Sequence, residues 1–155
     1  MTDTEPRRGA ADVRGINHVV LRVSDLEASD RFYRGVLGLS RVGERGRMWF
    51  YSAGTHHHDL GLVETGRRGN ESASQSSLFH LCFDVPGEAA LARLHRRCVE
   101  AGVTVLGGVD HNISRSFYVR DPDGNVVELT FDLPRGEWAN QTEPFAEDLP
   151  YEVPA

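Results

Sequence analysis

Glu128 stands inside Asn125-Val126-Val127-Glu128-Leu129-Thr130-Phe131, a stretch otherwise composed as an apolar strand. A carboxylate there needs a partner, because an unpaired buried charge is very costly. Two histidines occupy similar surroundings upstream: His18 in Gly15-Ile16-Asn17-His18-Val19-Val20-Leu21, and His80 in Ser77-Leu78-Phe79-His80-Leu81-Cys82-Phe83. A metal ion on which all three converge would answer the charge. Two imidazoles and one carboxylate are the facial set that holds non-haem Fe(II) and leaves coordination positions open. His111 and Tyr118 precede Glu128, with the tight turn Asp121-Pro122-Asp123-Gly124 between Tyr118 and Glu128. A run of three histidines, His56-His57-His58, leads into Asp59-Leu60-Gly61-Leu62.

Positioning these groups requires strands, and hydrophobic patterning supplies them in two similar sets. Residues 15–23 read as a buried strand. Ser24-Asp25-Leu26-Glu27 reads as a capping box that starts a helix. Leu26, Tyr33, Val36 and Leu37 form its inward face, and Gly38 ends it. Strands follow at 39–43, 47–53 and 57–64, then a hydrophilic linker at 65–76. The order repeats: a strand at 77–85, a helix at 87–101 with Leu91, Leu94 and Cys98 inward and Gly102 as cap, and strands at 103–107, 113–120 and 125–132. Residues 1–14 are expected to be flexible. Residues 133–155 carry Pro134, Pro144, Pro150 and Pro154 and read as an extended tail.

The repeat fixes the expected fold class. It is α+β: two βαβββ modules, 15–64 and 77–132, form one domain as a cupped mixed sheet with helices outside and a cleft inside. Aligning the modules sets His18 opposite His80. Aligning Phe50-Tyr51 with Phe117-Tyr118 without gaps sets Gly61 opposite Glu128. Gly61 has no side chain to ligate, so a metal there keeps open positions. A regular strand through 57–64 would send His58 and Gly61 to opposite faces. His58 must therefore lie in a turn or bulge.

The net charge of −6 and the lack of a long basic run argue against nucleic acid and anionic membrane as partners. No apolar stretch reaches the roughly 20 residues of a membrane span. The N-terminus lacks the apolar region of a signal peptide, so a cytoplasmic protein is expected. Cys82 and Cys98 read as reduced, structural thiols. Every basic residue is Arg and none is Lys, which reflects composition bias and not function.

The paired strand-helix-three-strand modules resemble the vicinal oxygen chelate superfamily. Within it, residues 109–128 resemble the signature of single-domain type I extradiol ring-cleavage dioxygenases. That signature is a His, five to seven residues, an apolar residue and Tyr, then Asp-Pro-x-Gly before Glu. His111, Phe117-Tyr118, Asp121-Pro122-Asp123-Gly124 and Glu128 meet it. Gly54 to Leu62 is similar to the segment that carries that family's catalytic histidine, which lies near the metal but does not ligate it. The resemblance implies Fe(II), or alternatively Mn(II), on His18, His80 and Glu128. It implies catalytic roles for His58, Tyr118 and His111, a catechol and dioxygen as substrates, and a homo-oligomer, dimer or higher. Two other classes stand beside it: a glyoxalase-like isomerase, which would want a ligand at Gly61, and a metal-free drug-binding protein, which has no need of the three ligands.

Overall fold

The computed structural model describes residues 15–66, 78–143 and 147–154. The flexible N-terminus and most of the linker expected above lie outside these residues. Two βαβββ modules make up the fold. The first runs β1 (Val19–Val23), α1 (Leu26–Asp30), a π-helical turn (Arg31–Val36), β2 (Ser40–Arg45), β3 (Met48–Ser52) and β4 (Leu60–Glu64). The second runs β5 (Leu81–Asp84), α2 (Glu88–Glu100), β6 (Val105–Asp110), β7 (Ser114–Arg120) and β8 (Val126–Asp132).

Each module folds into its own mixed sheet. The orders are β1-β4-β3-β2 and, with a strand added from the tail, β5-β8-β7-β6-β9, where β9 is Leu149–Pro150. The first strand of each module pairs parallel to its last strand, and the other pairings are antiparallel. Both β1 and β5 are sheet edges among the described residues. The repeat extends to detail. β2 is bulged at Arg41/Gly43 and β6 at Val105/Gly107, the same strand of each module.

Alternation along the strands sends one face to a shared core. Leu21, Val23, Tyr51, Leu60, Leu62, Phe117, Val119, Val127, Leu129 and Phe131 are all buried there. The helices cover this face: Leu26, Phe32 and Tyr33 come from the first, and Leu91, Leu94 and Cys98 from α2. The modules lock together through Tyr33. Its hydroxyl donates to Asp121 Oδ2 at 2.8 Å, and its ring lies 6.5 Å from that of Phe83.

Local readings shift in three places. The cap of α1 is Asp25, not Ser24: Asp25 Oδ1 accepts the Ala28 N–H at 3.0 Å, while the Ser24 N–H is drawn to Asp123. The tail is not extended throughout, since Arg135–Trp138 form a helical turn whose Trp138 Nε1 donates to the Leu133 carbonyl. The gapless alignment fails by one residue on β3. Gly61 pairs with Phe50, whereas Glu128 pairs with Tyr118, so Phe50 is the counterpart of Tyr118. The loop between β3 and β4 carries the extra residue, and Tyr51 turns into the core.

Candidate functional site

His80 immediately precedes β5, and the period of two puts its side chain on the face of Cys82. In the parallel β5–β8 pairing Cys82 lies opposite Glu128. In the antiparallel β7–β8 pairing Tyr118 lies opposite Glu128, and Ser116 opposite Thr130. The sheet therefore carries His80, Cys82, Glu128, Tyr118 and Ser116 on the face away from the helices.

Glu128 is only 7% exposed and is well supplied with partners. Its Oε2 is 3.0 Å from His80 Nε2, and its Oε1 accepts from Ser116 Oγ at 2.6 Å. His111 Nε2 stands 3.6 Å from the same Oε1 and 2.8 Å from the Tyr118 hydroxyl. The turn that presents His111 is tight: Asp110 Oδ1 accepts the Asn112 N–H, and Asn112 adopts φ 69°. Burial, then Glu128, raises the Tyr118 hydroxyl above its ordinary range. Burial first, then Glu128, pushes the Cys82 thiol up to about 12. Both groups are thus held protonated at neutral pH beside a carboxylate.

The donor set suits a cation. His80 Nδ1 is buried and has no hydrogen-bond partner among the described residues, so the ring's polar contact is through Nε2 toward Glu128. Their 3.0 Å separation is a hydrogen-bond distance, and it is also the spacing of two ligands at right angles about 2.1 Å from one ion.

The first module presents a separate group. His18 precedes β1, and Val20, two residues on, lies opposite Gly61. This repeats the relation of His80 to Cys82 and Glu128, with glycine in place of the carboxylate. His58 sits outside β4, in the turn that its spacing from Gly61 requires. Its ring centroid is 4.3 Å from that of His18 and 5.1 Å from that of Phe50. Burial, then the nearby His18 and His57, holds the His58 imidazole below its ordinary 6.5. His57 Nδ1 contacts His58 Nδ1 at 2.6 Å. His56 serves the loop instead, meeting Asp59 Oδ1 at 2.9 Å while Asp59 Oδ2 accepts the Ala53 N–H.

The structure thus joins His80, Glu128, His111 and Tyr118, and joins His18 with His58. Among the described residues His18 makes no hydrogen bond, ion pair or ring contact with His80 or Glu128. No three His, Cys, Asp or Glu side chains there are grouped to hold a metal.

Three members of the site were not singled out from sequence. Cys82 and Ser116 were legible by parity, each two residues from a named site residue on the same strand. Asp148 was not legible: its Oδ1 lies 2.6 Å from His111 Nδ1 across a gap of 37 residues, and no periodicity connects them.

Comparison with known proteins agrees with this architecture. The Glyoxalase/Bleomycin resistance protein/Dioxygenase superfamily matches residues 15–129. The chain is 32% identical over 117 residues to biphenyl-2,3-diol 1,2-dioxygenase 3 of Rhodococcus globerulus, covering 74% of this chain and 62% of that one. It is 31% identical over 134 residues to catechol-2,3-dioxygenase of Bacillus subtilis, covering 83% and 45%. Among solved structures, lactoylglutathione lyase from Agrobacterium tumefaciens superposes with a TM-score of 0.61 at 27% identity, over 78% of this chain and 96% of that one. The chain therefore spans less than two thirds of either dioxygenase.

Proposed function

The chain belongs to the glyoxalase/bleomycin resistance protein/dioxygenase superfamily, and from that premise we propose that it is an extradiol dioxygenase. It opens a catechol ring beside the two hydroxyls, and both atoms of dioxygen enter a muconic semialdehyde-type product. The observation that carries this reading is the buried Glu128 carboxylate against His80, with the hydroxyl of Tyr118 and the imidazole of His111 on the same face. The two dioxygenase relatives support it.

Fe(II), with Mn(II) as the alternative, would be held by His18, His80 and Glu128 and would supply electron transfer between catechol and dioxygen. The remaining work falls to side chains. Tyr118 and His111 hydrogen-bond the substrate oxygens and orient the ring. The neutral His58 imidazole accepts a catechol proton. Gly61, at the position equivalent to Glu128, supplies no ligand, and the Val20 and Met48 side chains close over it.

The separation of His18 from the other two ligands fits a homo-oligomer. Among the described residues β1 and β5 are both sheet edges, with exposed Ile16 and Val20 on either side of His18 and exposed Leu78 and Phe79 just before His80. Unpaired apolar edges favour association. A second copy that lays its β1 edge beside β5 brings its own His18 to this chain's His80 and Glu128.

The test is anaerobic loading with Fe(II), then oxygen and a panel of catechols, watching for the yellow ring-opened product and incorporation of labelled oxygen. Inactivity on every catechol, together with oxygen-independent turnover of a glutathione hemithioacetal, would assign the isomerase class instead. Mixing His18→Ala with His80→Ala chains should restore turnover that neither has alone if the ligands come from two copies.

A further inference from the structure

The segment 147–154 lies outside the 15–129 stretch that the superfamily shares. It is nevertheless built onto the site. β9 pairs with β6, Val109 opposite Pro150 and Asp110 opposite Leu149. The Tyr151 N–H donates to the Gly108 carbonyl at 3.1 Å. The Tyr151 hydroxyl donates to Glu88 Oε1 at 2.9 Å, and Arg115 covers its ring at 5.4 Å. A Cβ on Gly108 would collide with the Tyr151 carbonyl oxygen, so glycine is what admits the strap.

None of these anchors uses Asp148, yet they leave its carboxylate 2.6 Å from His111 Nδ1. We propose that Asp148 is a positioning residue that fixes the proton of His111 on Nδ1 and so turns Nε2 toward the Tyr118 hydroxyl as an acceptor. A carboxylate only accepts, so its partner nitrogen must donate. In a neutral imidazole the hydrogen bond at one nitrogen sets the role of the other. Nε2 therefore takes the Tyr118 O–H at 2.8 Å, and the lone pairs of the Tyr118 oxygen stay free. The other charged groups near His111 do not compete for Nδ1. Glu128 faces Nε2, and Asp110 is engaged by Arg115 Nε at 2.9 Å and by the Asn112 N–H.

The alternative is a plain surface tether. Asp148 is 68% exposed, and exposed ion pairs contribute little to stability. A tether would alter stability without touching the tautomer.

The consequence for turnover rests on the dioxygenase reading; the tautomer does not. The deciding experiment is nitrogen-15 NMR of the histidine rings in the metal-free 155-residue chain at about pH 9, well above the ordinary imidazole value of about 6.5, so that the tautomers of neutral rings are read. His111 should carry its proton on Nδ1 in the wild type. Asp148→Ala should mix the tautomers or move the proton to Nε2, and Asp148→Glu should restore the wild-type pattern. Gly108→Val, which displaces the strap, should reproduce Asp148→Ala. A wild-type His111 protonated on Nε2, or an Asp148→Ala chain with an unchanged tautomer, would overturn the proposal. With Fe(II) loaded, kcat on an accepted catechol should fall about 10–100-fold in Asp148→Ala, the order of loss when the carboxylate partner of a metal-ligating imidazole is removed, with KM little changed. A failure of every catechol would count against the dioxygenase reading and leave the NMR result to decide the role of Asp148.

Discussion

His80 Nε2 stands 3.0 Å from Glu128 Oε2, while His80 Nδ1 is buried without a hydrogen-bond partner among the described residues. The pair comes from neighbouring strands whose register, Cys82 opposite Glu128, leaves little freedom in where the two groups meet. A ligand that binds only the folded pair stabilises the chain by mass action. Mn(II), stable in air, at about 100 times its dissociation constant should add about 2.7 kcal/mol. Thermal unfolding with and without the ion measures it. Glu128→Gln keeps the shape and removes the charge, and should abolish the gain. An equal gain in that variant would remove Glu128 from the ligand set.

Tyr33 and Asp121 tie the first helix to the turn between β7 and β8. The hydroxyl is buried and donates to the Asp121 carboxylate, so Tyr33→Phe should cost about 1.5–3 kcal/mol. Asp121→Ala should cost more. It strands the Tyr33 hydroxyl and also removes the acceptor of the Asp123 and Asn125 N–H groups at 3.0 and 2.8 Å. Urea unfolding of both variants gives the ranking. A neutral Tyr33→Phe would mean that apolar packing alone joins the modules.

The acid limb of stability should depend on Asp30. Burial pushes its carboxyl up, but hydrogen bonds from Arg34 and Tyr51, with the charges of Arg34 and Arg41, pull harder and leave it below the usual 3.8. A group depressed in the folded state contributes stability above its unfolded value and loses it as pH falls through the folded value. Unfolding free energy should therefore drop on acidification below 3.8, and Asp30→Asn should flatten that drop. Asp59 and Asp110 are depressed as well, so the slope should shrink without vanishing. Denaturant titrations between about pH 5 and pH 2 check it. A slope unchanged in Asp30→Asn would place the acid sensitivity elsewhere.

Much of this was legible because it rests on periodicity. The module order, the inward faces of Leu91, Leu94 and Cys98, and the turn position of His58 all follow from periods of two and 3.6. The pairing of Phe50 with Gly61 was not legible, since one extra loop residue shifts β3 without altering its apolar pattern. Ser24 and Glu27 have capping-box spacing, which points to Ser24 as the cap although Asp25 fills that role. The Asp123 contact that draws the Ser24 N–H away comes from the other module. Asp148 is hidden for the same reason: a contact across many residues, made by a short edge strand, leaves no local mark.

Substitutions at His58 and Tyr118 separate proton transfer from orientation. The His58 ring packs against those of Phe50 and His18, and burial with its histidine neighbours favours the neutral imidazole, the form that accepts a proton. Phenylalanine keeps the ring and its packing, so His58→Phe should fold and bind iron. It should lose about 10²–10⁴-fold in rate, the usual contribution of a general acid-base group. Tyr118→Phe removes one hydrogen bond to His111, worth about 0.5–1.5 kcal/mol net, and should slow turnover by about tenfold or less. Single-turnover rates on a catechol, with iron content measured for each variant, discriminate the two roles. An iron-free His58→Phe would make this residue a ligand beside His18. A fully active one would reduce the three-histidine run to a loop braced by His56 and Asp59 and leave proton transfer to His111 or Tyr118.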